Sequence, residues 1–213
     1  MRTGTRKMKM HVIGAVVAAV FLTSPAAAQG WFLYTSEEDN FTINFPDDPS
    51  IETTTYTSPS GHQLPARVYT AMDATGTYIV TAVDYENASA EEIASSIEDA
   101  ADSFRMRDGE TTLDEFGYFE GADSQIMQTS NPDGTRSYIT IAYLLPTSGL
   151  HKLYIVEGIV PARGVTAGVF QQSLGWVDSF GTRIRYQRDV DGNRYRVVPD
   201  AGSTPLVSRA SRD

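Results

Sequence analysis

Residues 163–180 read RGVTAGVFQQSLGWVDSF. This stretch decides the fold class, because a helix here gives a sheet its second helical cover. Val169, Phe170, Ser173, Leu174, Val177 and Phe180 recur at helical spacing and form one apolar arc. Pro161 precedes the run, and Gly168 and Gly175 weaken it without breaking its period. The spacing predicts a helix.

A first helix is written upstream in SAEEIASSIEDAADSFRMRDG, residues 89–109. Ser89 and Glu92 have the spacing of a capping box, in which the hydroxyl takes a free backbone N–H and the carboxylate reaches back to the cap. Ile93, Ile97, Ala101 and Phe104 follow as a stripe, the acids lie largely off it, and Gly109 ends it. The rest of the chain alternates. Phe41, Ile43 and Phe45 sit at every second position of DNFTINFPDDP (39–49), and Leu64, Ala66, Val68 and Thr70 share a face of the next run. TYIVTAVDY, SYITIAYLL and LYIVEGIV are apolar on both faces, as strands covered from both sides must be. NPDG (131–134) predicts a hairpin, and Asp191-Gly192 predicts a tight turn between two Arg-rich strands. The expected class is α+β: a mostly antiparallel β-sheet with two packing helices.

The chain begins as an exported protein does. Arg2, Arg6, Lys7 and Lys9 precede an apolar run of about a dozen residues, where a membrane span needs about 20, and Ala26 and Ala28 fit a cleavage site. The expected divisions are a signal peptide over 1–28, the α+β domain over 29–182, an Arg-rich β-hairpin over 183–199 and a disordered tail over 200–213. With no cysteine, neither a disulfide nor a lipidated N-terminal Cys is available. A bacterial periplasm is the expected location, with no stable membrane anchor after cleavage. Residues 29–180 carry six Lys and Arg against 23 Asp and Glu, a net −17, while residues 181–213 carry seven Arg against four Asp. So acidic a body argues against nucleic acid as a partner.

The opening YTSEEDNFTINFP, the capped helix after the first strands and the closing LGWVDSF resemble the PsbP-like family. Its members include photosystem accessory proteins, a nuclear-import factor and many bacterial exported proteins. The matching positions are Phe41, Ile43, Phe45, Pro46, Ser179 and Phe180. The resemblance implies an α-β-α sandwich and mostly non-enzymatic roles in binding partner proteins or helping complexes assemble.

Chemistry is sparse. There is no G-x-S-x-G nucleophile elbow. His62 and His151 are the only histidines after the signal segment, and each is a candidate general base. Asp189, Asp191 and Asn193 take positions 1, 3 and 5 of a calcium-loop pattern with Asp200 at position 12, but Arg194 stands where that loop needs glycine. Arg183, Arg185, Arg194 and Arg196 are candidate contacts for an acidic partner. The expectation is a non-catalytic periplasmic binding or assembly protein with a protein partner and no cofactor. The alternative is a cation- or small-ligand-binding protein with an acidic cleft, and an enzyme ranks third.

Overall fold

The structure is a computed structural model that describes residues 30–58, 61–144, 151–178 and 180–197. The expected signal peptide and C-terminal tail lie outside these residues, as does Ser179. Strands β1 (Phe32–Ser36) and β2 (Phe41–Phe45) form a hairpin. Strands β3 (Ser50–Thr57), β4 (Gln63–Met72) and β5 (Thr77–Asp84) form a meander leading to α1 (Ala90–Arg105). Next come β6 (Glu110–Phe119), β7 (Ala122–Ser130), β8 (Thr135–Leu144) and β9 (Lys152–Pro161). The short helix α2 (Gly168–Gln172) precedes β10 (Gly175–Val177), β11 (Arg183–Arg188) and β12 (Arg194–Val197).

These strands build two wholly antiparallel sheets. The larger has the order β3-β4-β5-β9-β8-β7-β6 and the smaller β1-β2-β10-β11-β12. The expected α+β class with two covering helices is therefore corrected to a β-rich sandwich, with 55% of the described residues in strand and 13% in helix. The second layer over the large sheet is the small sheet, helped by the five residues of α2. The stretch 163–180 misleads because its apolar residues satisfy a helical period as well as a helix-then-strand path. Val169 is 71% exposed and Phe180 89% exposed, although both lie on the helical arc. Trp176, which that arc leaves out, is fully buried. Gly175 sits in β10 where a Cβ would come within 2.9 Å of Thr42 Oγ1 on β2, so the glycine that weakens a helix here permits close strand pairing.

Two apolar layers result. Between the sheets, Phe41, Ile43 and Phe45 of β2 are fully buried against large-sheet aromatics, with Phe41 edge-on to Tyr69 at 4.9 Å. Phe170 joins this layer, 5.1 Å from the Tyr78 ring and 5.5 Å from Phe45. On the opposite face α1 covers Leu64, Val83, Met127, Ile139, Ile141 and Leu153 through Ala101 and Phe104, with Ile93 and Ile97 half-buried beside them. The Ser89–Glu92 capping box forms as its spacing predicts. At Gly158 a Cβ would lie 2.5 Å from the Ala167 Cβ beside α2. Gly158→Ala is therefore expected to destabilise by about 1–3 kcal/mol through overpacking, measurable by urea unfolding.

One loop form recurs. In 58–62, 131–135, 178–182 and 189–193 the first N–H donates to the fifth carbonyl at 2.9–3.0 Å, and the fourth N–H returns to the first carbonyl. The fourth residue is always glycine, with φ between 71° and 86°. At 131–135 and 189–193 this is the three-residue hairpin loop closed by a left-handed glycine. The hairpin expected at Asn131–Gly134 forms in this way, whereas the Asp191-Gly192 link is one residue longer than the tight turn predicted from the sequence.

Candidate binding edge and the adjoining cleft

The Arg-rich hairpin continues the small sheet, since β10 pairs with β11 through Trp176↔Ile184 and Val177↔Arg183. Its cations do not share one surface. Arg185 lies opposite Val197 and Arg196 opposite Tyr186, so these two arginines project from opposite faces of the hairpin. Arg194 holds the register position opposite Arg188. Arg183 binds Glu120 at 2.9 Å and Arg196 binds Asp178 at 2.6 Å, while Arg185 is exposed. In the calcium-like loop the Asp189 carboxylate closes the turn instead. Oδ1 accepts from the N–H groups of Asp191 and Asn193, and Oδ2 accepts from Asn193 Nδ2. The side chain and backbone N–H of Asn193 together hold the Asp189 carboxyl below its usual range. Among the described residues no three His, Asp or Glu side chains gather as a metal site.

The two histidines have different partners. His62 Nδ1 pairs with Glu92 Oε1, which also accepts from Ser58 Oγ at 3.3 Å. Glu92 Oε2 accepts from the Ser89 N–H, so one carboxylate caps α1 and ties the 58–62 loop to it. Glu92→Ala should cost about 1–2 kcal/mol, the range of a lost helix cap, in thermal or urea unfolding. His151 Nδ1 stands 3.4 Å from the Tyr143 hydroxyl, whose pKa burial pushes up to about 12. His62 also lines an open cleft of about 600 Å3, with Gln63, Leu64, Asp84, Asn87 and Ala88. The cleft exists because β5 ends at Asp84 and turns away to α1, while β4 starts earlier at Gln63.

Past Pro65 and Asp84, which line both cavities, lies a recess of about 50 Å3 bounded by Thr53, Asp39, Arg67 and Lys152. Asp39, in the β1–β2 turn, has a side chain only 2% exposed and four donors on its two oxygens. Arg67 Nε and Nη2 grip it at 2.6 and 2.7 Å, Tyr69 donates at 2.6 Å and Lys152 Nζ at 2.8 Å. Ser36 Oγ completes the chain by donating to Tyr69 Oη at 2.9 Å, and the Tyr154 hydroxyl donates to the Asp39 carbonyl. Burial pushes the Asp39 carboxyl up, but the bonds from Arg67, Lys152 and Tyr69 outweigh it and hold the pKa below the ordinary carboxylate value. Burial and the bond to Asp39 raise the Tyr69 hydroxyl well above its ordinary range. The group clasps the small sheet to β4 and β9 of the large one. Periodicity gave no hint of it, because the donors to the Asp39 carboxylate stand 28 to 113 residues away.

The remaining feature is the edge at β3. All but one of its eight residues are exposed, and it carries a single charge, Glu52. Its hydrogen-bonding parity follows from the closing loop. Ser58 N–H donates to the His62 carbonyl, so 58/62 is a hydrogen-bonded pair. Counting back along the register, Tyr56, Thr54, Glu52 and Ser50 bond inward to β4. Ile51, Thr53, Thr55 and Thr57 therefore turn both N–H and C=O outward. Pro65 opposite Thr55 agrees, since a strand proline belongs where no ladder N–H is needed. Among the described residues β3 pairs with β4 alone. The other edge of the large sheet, β6, carries Glu110, Asp114 and Glu115 and a register shift between Thr111 and Leu113, both of which blunt an edge.

Among the described residues no helix is long and apolar enough to cross a membrane. Of the positions carrying the PsbP-like resemblance, Phe41, Ile43 and Phe45 are core residues and Phe180 is exposed. Comparison of the chain with protein-family models and with curated proteins finds no match to either.

Proposed function

We propose that this chain is an exported, non-catalytic binding or assembly protein that takes a partner by strand addition at β3. The observation carrying this reading is the outward row of N–H and C=O groups on Ile51, Thr53, Thr55 and Thr57, on an edge whose strand has one charge, Glu52, against the three charges and the bulge that guard β6. In strand addition the main-chain hydrogen bonds supply affinity, and alternate side chains supply specificity. Export through the signal segment places the encounter in the periplasm, and intact-mass measurement of a fractionated culture checks for cleavage after Ala28.

The test is a photo-crosslinking residue placed at Thr53, with a matching one at Thr111 on β6, in the full chain in its host. A discrete protein adduct from position 53, absent from 111 and lost when Thr55→Pro removes an outward donor, is the expected result. The same adducts from both positions, or none from 53, would contradict the reading. A small ligand is the second reading, favoured by the open cleft where His62, Asp84 and Asn87 meet. It predicts a ligand-induced rise in Tm that Asp84→Asn reduces.

A further inference from the structure

Resting on that reading of β3, we propose that the strand it accepts is an extended, basic segment of another protein, with its Lys or Arg residues toward the end that meets Ser50. Charge around the edge selects such a strand. Asp47 and Asp48 stand exposed just before β3, and Glu52 is exposed on it. Glu38, with a side chain 70% exposed, lies beside Arg67, the strand-neighbour cation on the small-sheet side. Arg67 is already neutralised, because its guanidinium binds both Asp39 and Glu38. His62, at the far end of the edge, is paired with Glu92. The edge therefore presents uncompensated negative charge at its Ser50 end and little charge elsewhere.

In the antiparallel sense of the whole sheet, the C-terminal half of an added strand runs beside Asp47, Asp48 and Glu52, and this is where its cations belong. Its alternate residues face Ile51, Thr53 and Thr55 on one side of the sheet and Glu52, Thr54 and Tyr56 on the other. A second copy of this chain is the poorer occupant. Pairing two β3 strands antiparallel about Thr54 leaves no like charges directly opposed, yet it brings together two chains of net −14 over residues 29–213 and sets beside Asp47 and Asp48 only the Gly61–His62 end, whose imidazole already pairs with Glu92.

The experiment uses the mature chain and four synthetic ten-residue peptides. One alternates Thr and Val with two Lys in its C-terminal half, one carries Glu in place of Lys, one carries Ser, and one keeps the Lys but has prolines at alternate positions. Amide hydrogen exchange by NMR reads the edge and titration reads affinity. The Lys strand peptide is expected to slow exchange at Ile51, Thr53, Thr55 and Thr57. Its binding should weaken several-fold between about 0.05 and about 0.2 M salt, as screening requires. It should also weaken at least about fivefold against Thr55→Pro, which removes one outward hydrogen bond and adds a ring at the edge.

Equal protection by the Ser or Glu peptide would overturn the basic partner while leaving strand addition at β3 intact. Binding of the proline-interrupted peptide as tightly as the Lys strand, or binding without protection of the four amides, would overturn both. Protection that appears without peptide as protein concentration rises would identify a second copy as the occupant and overturn the proposal.

Discussion

Asp39→Asn is expected to cost about 3–5 kcal/mol of unfolding free energy at pH 7, the range for removing one partner from a buried charge pair. The side chain of Lys152 is only 11% exposed, and in the variant it loses its 2.8 Å anion. Arg67 keeps only the solvent-facing Glu38 as an anion, and the amide NH2 of asparagine turns a donor toward two of the four donors that gripped the carboxylate. Asp47→Asn, at an exposed position two residues beyond β2, is expected to change stability by less than about 0.5 kcal/mol. Urea unfolding of the two variants beside the native chain checks both values. The same clasp sets part of the acid limb. Because the folded-state pKa of Asp39 lies below its unfolded value, the unfolded chain binds more protons there at acid pH. The contribution of Asp39 is complete above the unfolded carboxylate value of about 4 and is lost as pH falls through the lower, folded one. The Asp39→Asn curve should therefore show a shallower loss of stability below about pH 4 than the native chain.

Trp176→Ala should be comparably severe, at about 3–5 kcal/mol, because a fully buried indole is removed from between the sheets. Its ring stands 5.9 Å from Phe119 and 6.5 Å from Tyr154, so the cavity opens between the small sheet and its neighbours. Val169→Ser and Phe180→Ser should each stay within about 0.5 kcal/mol, since both side chains face solvent. A continuous helix over 163–180 would give the reverse ranking, because Val169 and Phe180 would lie on its buried arc and Trp176 off it. Thermal or urea unfolding of the three variants separates the two paths of the chain.

What the sequence disclosed was local. Ser89 and Glu92 announced α1 because the capping box needs only its own four residues. The glycine fourth in the loops at 134 and 192 announced its hairpins for the same reason. Alternation found β4, runs apolar on both faces found β5, β8 and β9, and alternation placed Phe41, Ile43 and Phe45 inward correctly. The small sheet escaped because β10 is three residues long and all three are buried, which erases any period of two. In Leu174–Val177, burial from both sides mimics the core side of a helix. The Asp39 clasp escaped because a buried acid in SEEDN cannot be told from its exposed neighbours by composition. The β3 edge escaped because alternation in SIETTTYT is the same for an edge strand as for a central one, and only the strand pairing shows that, among the described residues, β3 has β4 as its sole neighbour. The Arg-rich hairpin was legible as strands, but its register, which sets Arg185 and Arg196 on opposite faces, was not.

Hydrogen exchange along β3 of the free mature chain tests the binding edge most directly. If the row at Ile51, Thr53, Thr55 and Thr57 is open, these four amides exchange fast while those of Glu52, Thr54 and Tyr56, bonded to β4, exchange slowly, a two-residue alternation along one strand. Uniformly slow exchange across residues 51–57 in the dilute protein would mean that the edge is already covered, and the account of how this protein engages a partner would fail with it.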